Sequence, residues 1–351
     1  MDEPDPAAPA QPREADELRK GRPLGGERAT LRLPSLLHSI AIRIFVGPSG
    51  VRAGWRLLLF AVLAFSFSLI LWGLAPLVIR PSQVFTPPAL LLREGIVFAA
   101  VLAAASAMGR IERRSLSAYG LPARGAFGTQ FWQGIGFGFA ALTALLVVLW
   151  AMHDFSFESF ALRGREAVYY AVLWAIAFLC VGFSEEFLMR GYALYTLSAG
   201  VGFWPAAVLL SALFAALHLG NAGENWTGIL NAALIGLFFS LTVRRTGNLW
   251  FAIGMHAMWD YSETFLYSVP NSGVMATGHL LNSSFRGPRW LTGGSAGPEG
   301  SVLATLMILV LFVVFDRYYR DVRFPVVSKP QVTAAWGDGA PFRRDSDAAP
   351  Q

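Results

Sequence analysis

From residue 57 onward the chain alternates long apolar runs with short polar joints. A helix needs about 17–25 apolar residues to cross the hydrocarbon core of a bilayer. Eight such runs are predicted, at about 57–79, 89–109, 131–152, 167–197, 204–219, 227–243, 248–268 and 301–319. The implied architecture is all-α, a polytopic membrane helix bundle of about eight transmembrane helices. The connection 269–300 is the longest internal loop and is rich in Gly, Ser, Asn and Pro. No fixed-period repeat is visible.

Composition agrees with the pattern. The 351 residues are 54% hydrophobic and 15% charged, where a soluble domain carries about a quarter charged residues. Residues 1–50 hold a run rich in Pro, Asp, Glu and Arg that lacks the apolar content for a core, so a disordered tail is expected. Residues 51–325 form the expected bundle, and 326–351 a second disordered tail. The N-terminus has no apolar signal-peptide core.

Charge sets an expected orientation. Arg28, Arg32, Arg43, Arg52 and Arg56 precede the first run. Arg110, Arg113, Arg114 and Arg124 fall in one later joint, Arg244 and Arg245 in another, and Arg317, Arg320, Arg323 and Lys329 follow the last run. Basic residues in alternate joints mark the cytoplasmic side, which puts both termini there; Arg286 and Arg289, in loop 269–300, run against this. A bacterial inner membrane fits. The net charge of +5 is spent on orientation and does not point to nucleic acid. Cys180 is the single cysteine, so neither an intrachain disulfide nor a thiolate metal site is available.

The candidate chemistry is the charge placed inside the membrane. The run "AVYYAVLWAIAFLCV" (167–181) continues without a break into "GFSEEFLMRGY" (182–192). One charge at a helix centre costs about 2.5–3.5 kcal/mol on insertion scales, and here Glu185, Glu186 and Arg190 fall within six residues. Glu186 and Arg190 are four apart and can pair on one face. Glu185 is rotated by about 100° from Glu186 and can face another partner. Because "ALYTLSAG" extends the apolar run, Glu185 is expected near the middle of a long helix. Two histidines follow: His218 closes the fifth run, four after Phe214, and His256 lies inside the seventh, four before Asp260. Alone, each reads as a hydrogen-bonded packing residue. Together, an acid, two imidazoles and a second acid on three spans can converge in a bundle interior, and such donors suit zinc. No compact H-E-x-x-H motif is present, so a metal site would be assembled from separate helices. His38, His153 and His279 read as tail or loop residues. Glu263 reads either as support for Asp260 or as part of the span's outer mouth, and Asn221 and Asn225 as substrate-orienting groups or loop caps.

These residues resemble the three motifs of the CPBP intramembrane proteases, the family of the Ras-converting CAAX prenyl endopeptidases and of bacteriocin-processing relatives. "EEFLMR" (185–190), "FAALH" (214–218) and "HAMWD" (256–260) resemble Glu-Glu-x-x-x-Arg, Phe-x-x-x-His and His-x-x-x-Asn/Asp in order. The likeness spans about 167–268. It implies hydrolysis of a peptide bond in a membrane-associated or lipidated protein or peptide substrate, with the lipid bilayer as surroundings. It also implies catalytic roles for Glu185, Glu186, Arg190, His218, His256 and Asp260. Glu185 would be general base, and Glu185, His218, His256 and Asp260 the ligands of a divalent metal, zinc being expected, with a metal-free glutamate mechanism as the other course. The competing reading is a catalytically idle scaffold or immunity protein on the same fold. A proton- or ion-coupled transporter is a third, weakened by the lack of a repeat.

Overall fold

The structure, a computed structural model, describes residues 45–47, 50–77, 85–221 and 223–325. The expected tails at 1–50 and 326–351, with His38, lie largely or wholly outside these. The chain divides into two units, Met1–Gly47 and Pro48–Gln351, and the second holds the helices from Ala53 onward.

Its helices are α1 (Ala53–Leu74), α2 (Pro87–Glu112), α3 (Thr129–Ala151), α4 (Gly164–Arg190), α5 (Tyr192–Val201), α6 (Phe203–His218), α7 (Trp226–Thr246), α8 (Trp250–Tyr261), the four-residue α9 (Arg289–Thr292) and α10 (Val302–Tyr318). The protein is a helical, integral membrane bundle. Among the described residues five helical stretches are long and apolar enough to cross a membrane: Ala53–Leu77, Pro87–Glu112, Thr129–Ala151, Gly164–Val201 and Trp226–Thr246. The outer faces of the bundle match lipid. Leu58, Val62, Phe65 and Leu69 on α1, Val147 on α3, Leu209 and Leu213 on α6, and Leu306, Val310 and Val313 on α10 are all exposed. Apolar faces of that extent indicate a membrane interface.

Three expectations need correction. The fourth run does not stay one helix. It breaks at Gly191, whose backbone (φ −79°, ψ −123°) is not helical. A Cβ there would lie 2.3 Å from the Phe187 carbonyl oxygen and 2.6 Å from its ring, so glycine permits the bend. Glu185 therefore sits in the last two turns of α4 rather than mid-helix. The fifth run is a 16-residue helix, about 24 Å long, and falls short of the roughly 30 Å hydrocarbon core; His218 ends inside the bundle. The seventh run is a 12-residue helix closed by a five-residue π turn, Ser262–Leu266. Eight full spans is thus an approximation.

The short α8 is the centre of the bundle. Ten of its twelve residues are buried, far more than a lipid-facing helix would show. Glycines let its neighbours come this close. A Cβ on Gly134 or Gly138 of α3 would lie 2.2 Å or 2.5 Å from the carbonyl oxygens of Phe251 and Met255. On α4, a Cβ on Gly182 would lie 2.8 Å from the Ile253 oxygen, and Gly254 of α8 itself faces the Phe131 oxygen of α3 at 2.3 Å. Gly134 and Gly138 are the small-x-x-x-small spacing by which membrane helices pack backbone to backbone. Away from α8, the carboxylate of Glu112 ties three helices. It receives Arg56 Nε at 2.8 Å, the Tyr119 hydroxyl at 2.9 Å and the Tyr192 hydroxyl at 2.5 Å.

Loop 269–300 is more structured than its composition suggested. Strand β2 (Leu281–Phe285) within it pairs antiparallel with β1 (Phe155–Phe160), Phe155 opposite Phe285, with a register shift between Phe157 and Ser159. Beyond this long-range pairing, the rest of the loop folds back across the end of α8, where Glu299 accepts from the Trp259 indole. Asn231 of α7 pins this return by donating to the carbonyls of Glu299 (2.7 Å) and Ser301 (3.0 Å).

The close approach of α3 to α8 yields a first prediction. Gly134→Ala should lower the melting temperature of the detergent-purified protein, with a cost of about 1–3 kcal/mol for overpacking. Gly136→Ala, whose Cβ meets nothing within 4 Å, should leave it unchanged or raise it. Equal behaviour of the two variants would contradict the packing described.

Candidate active site

α4, α6 and α8 carry the three sequence motifs to one place. Glu186 is fully buried and Arg190 is 1% exposed. Arg190 Nη1 donates to Glu186 Oε1 at 3.2 Å. The same oxygen lies 2.8 Å from His256 Nδ1. A carboxylate only accepts, so Nδ1 carries the proton and donates. One oxygen thus joins the first motif to the third. It fixes the imidazole plane and leaves Nε2 facing the other way.

The second motif joins through its aromatic residue. The Arg190 guanidinium lies 4.6 Å from the centroid of Phe214 and 5.7 Å from that of Phe239. Nε and Nη2 of Arg190 have no hydrogen-bond partner, so the two ring faces are what accommodate the rest of its charge. Phe239 also stacks on the His256 ring, with centroids 5.4 Å apart and planes at 17°. Phe214 packs against His218 at 4.7 Å, and its carbonyl accepts from His218 Nδ1 at 2.8 Å. His218 Nε2 is therefore free. The Phe of Phe-x-x-x-His is an electrostatic and steric support for both Arg190 and His218, a role that spacing alone did not reveal.

A cavity of about 340 Å³ opens beside these groups, lined by Glu185, His218, His256 and Asp260 among others. Glu185, unlike its neighbour, reaches this space, with a side chain 28% exposed. Its Oε2 is 3.7 Å from His256 Nε2, and Asp260 Oδ2 lies 3.7 Å from the same nitrogen. Such separations exceed a direct hydrogen bond and suit one water shared among the groups. Phe178, Val181, Leu188, Ile235 and Ile308 supply apolar wall, room for a lipid-like or hydrophobic side chain.

The structure adds residues that the sequence reading passed over. Glu94 of α2 is 5% exposed and lines the cavity. Its Oε2 accepts from the Ser184 hydroxyl at 2.6 Å and its Oε1 from Arg93 Nε at 2.8 Å. An Arg-Glu pair about 10 Å into a span was the available signal, since intramembrane charge is functional by default. Glu299, from the 269–300 loop, also lines the cavity. It accepts from the Trp259 indole at 2.9 Å and from the Ser272 hydroxyl at 2.9 Å. No linear signal marked it, because the loop's return across α8 is a tertiary event. Glu263 is fully buried in the π turn that follows α8. Asn225 caps α7, accepting from Gly228 N at 2.9 Å, while Asn221 lines the cavity. Glu224 lies in the joint between α6 and α7 and lines it too; burial pushes its carboxyl up from the ordinary value. His153 is exposed, and His279 Nδ1 donates to Ala276 O of its own loop, 2.8 Å away.

The expected metal set can be tested against these positions. Imidazole and carboxylate donors suit zinc, whose donors at about 2.0–2.2 Å stand about 3.3–3.6 Å apart. His256 comes near that spacing with Glu185 and with Asp260 separately. No three donors among Glu185, His218, His256 and Asp260 lie within 4.8 Å of one another among the described residues. As placed, the four surround a space wider than one zinc shell.

Within a membrane helix bundle, acid and imidazole groups from separate helices thus gather on one cavity. Residues 167–262 match the family model described as Rce1-like, type II CAAX prenyl endopeptidase Rce1-like, a little over a quarter of the chain, with all three motifs inside the match. Over that stretch the chain resembles the Rce1-like family, in line with the likeness of its three motifs to those of the CPBP proteases. No curated protein and no solved structure matches it.

The shared oxygen of Glu186 generates the second prediction. Glu186→Ala strands a buried Arg190 and unties His256, and should cost about 3–5 kcal/mol of stability in a thermal or SDS denaturation series. Glu185→Ala should cost less than about 1 kcal/mol, since no close partner is lost. A larger loss for Glu185→Ala than for Glu186→Ala would contradict these assignments.

Proposed function

We propose that this protein is a glutamate-dependent intramembrane endopeptidase that cleaves a membrane-associated or lipidated peptide. The observation carrying this reading is the division of labour between adjacent acids. Glu186 is spent on Arg190 and His256, whereas Glu185 is free, faces the cavity and sits 3.7 Å from the imidazole that Glu186 orients. A water between Glu185 and His256 is placed for general-base activation.

In the reaction, Glu185 takes a proton from that water as its oxygen bonds to the scissile carbonyl carbon. The carbonyl oxygen becomes an oxyanion. In its protonated form His256 presents Nε2–H to this charge, and Asp260 on the next turn balances the imidazolium. His218 lines the same cavity from the end of α6 and binds the substrate backbone or the same oxyanion. The proton held by Glu185 passes to the leaving amine as the C–N bond breaks, which restores the carboxylate. Donors fixed in place before the reaction are worth about 2.7–4 kcal/mol each. The apolar wall favours a hydrophobic or lipid-bearing substrate, and CAAX-type processing or peptide maturation is the substrate class that the family match supports. No step in this scheme passes through a metal.

The third prediction is a cleavage assay on a peptide library with purified protein. Glu185→Gln should lower kcat by about 10²–10⁴-fold, with folding intact by thermal melt. Unchanged cleavage would return the protein to the reading of an idle scaffold. Zinc has its own readout. Active protein should contain well below one zinc per chain; one zinc per chain that is lost together with activity in His256→Ala would establish the metal mechanism instead.

A further inference from the structure

Just behind the catalytic face lies an acidic group that the peptidase scheme does not use as a set. Asp260 ends α8, Glu263 lies in the π turn that follows, and Glu299 comes from the returning loop. One carboxylate oxygen from each lies within 4.8 Å of the other two. Glu263 is 0% exposed and Asp260 7%. Neither oxygen of Glu263 has a hydrogen-bond partner. The one nearby donor of note, the Trp259 indole, is directed to Glu299. A buried carboxylate with both oxygens unanswered, beside two more carboxylates, is not a stable arrangement by itself. Something positive must sit among them.

We propose that Asp260, Glu263 and Glu299 form a binding site for a hard divalent cation of the size of calcium. Three arguments favour this ion. The donors are all oxygens, the preference of calcium and not of zinc or copper. Two oxygens of one shell at about 2.4 Å from the ion can stand at most about 4.8 Å apart, and the three carboxylate oxygens lie within that limit of one another. Asp260 and Glu299 both line the cavity, which gives the ion an entry path and room for the waters that complete a shell of six to eight ligands.

The site would act as a brace. It ties the end of α8, and so His256 and Asp260, to the loop that returns across it. Ser272 belongs to the same clasp, since its backbone N–H and hydroxyl both donate to Glu299 Oε2, at 3.2 Å and 2.9 Å. The rival occupant is a proton shared between Glu263 and a neighbouring carboxylate, and the experiment is chosen to separate the two.

Full-length protein, purified in detergent and freed of metal with a chelator, is titrated with calcium chloride while its melting temperature is followed. At calcium about 100-fold above its Kd the melting temperature should rise by on the order of 5 °C. Glu263→Gln should abolish the rise, while His218→Ala should keep it. Absence of a shift in the wild type, with Glu263→Gln melting at or above the metal-free wild type, would show that a proton neutralises the cluster and overturn the proposal. A shift that survives in Glu263→Gln would place the ion elsewhere and overturn it equally. The readout is independent of cleavage: an inactive protein that binds calcium here would sink the peptidase reading and leave this site standing.

Discussion

A single carboxylate oxygen organises the interior. Glu186 Oε1 holds Arg190 from its own helix and His256 from α8 at once. Without an acid at that position, a buried guanidinium would have no counter-charge and the imidazole no fixed plane. The cost of leaving either unpaired in a medium of low dielectric is several kcal/mol, so the three side chains form one unit. Phe214 extends it to α6 by covering Arg190 on one side and touching His218 on the other. The three sequence motifs are three parts of one buried network, and Glu185 is the acid that the network leaves over, facing the cavity.

That network needs a helix at the centre of the bundle, and the backbone supplies one. α8 is too short to span a bilayer, yet it is buried on almost every side because Gly134, Gly138, Gly182 and Gly254 let α3 and α4 approach its main chain. The lipid faces of the outer helices carry the energetic burden of residence in the membrane, and the core is free to hold polar groups. The result is a cavity with an apolar wall and an acid–imidazole floor. It is a place where water can be held and a hydrophobic peptide can bind, which is the combination that an intramembrane endopeptidase of the Rce1-like kind requires.

Much of this was legible in the chain. Apolar run length marked the helices, and the i, i+4 spacings of Glu186 with Arg190 and His256 with Asp260 correctly described shared faces within α4 and α8. What periodicity could not supply was where a run stops being one helix. The fourth run bends at Gly191, where any Cβ would meet Phe187, and the seventh run ends early in a π turn; both depend on packing. Nor could it supply contacts between distant segments. Glu186 meeting His256 spans 70 residues, and Ser184 meeting Glu94 spans 90. Glu299 reaches the cavity only because β1 and β2 pair and the loop folds back. Glu94 was the avoidable omission, since a charge inside a predicted span announces itself.

The central claim is energetic, that Glu186 and His256 are coupled through one oxygen, and a double-mutant cycle on stability measures it most directly. Glu186→Gln, His256→Gln and the double variant would be compared by denaturation of the purified protein. The account predicts a coupling of at least about 1 kcal/mol, as for groups within one hydrogen-bonded network. Effects that add to within about 0.3–0.5 kcal/mol, as expected of independent sites, would contradict it.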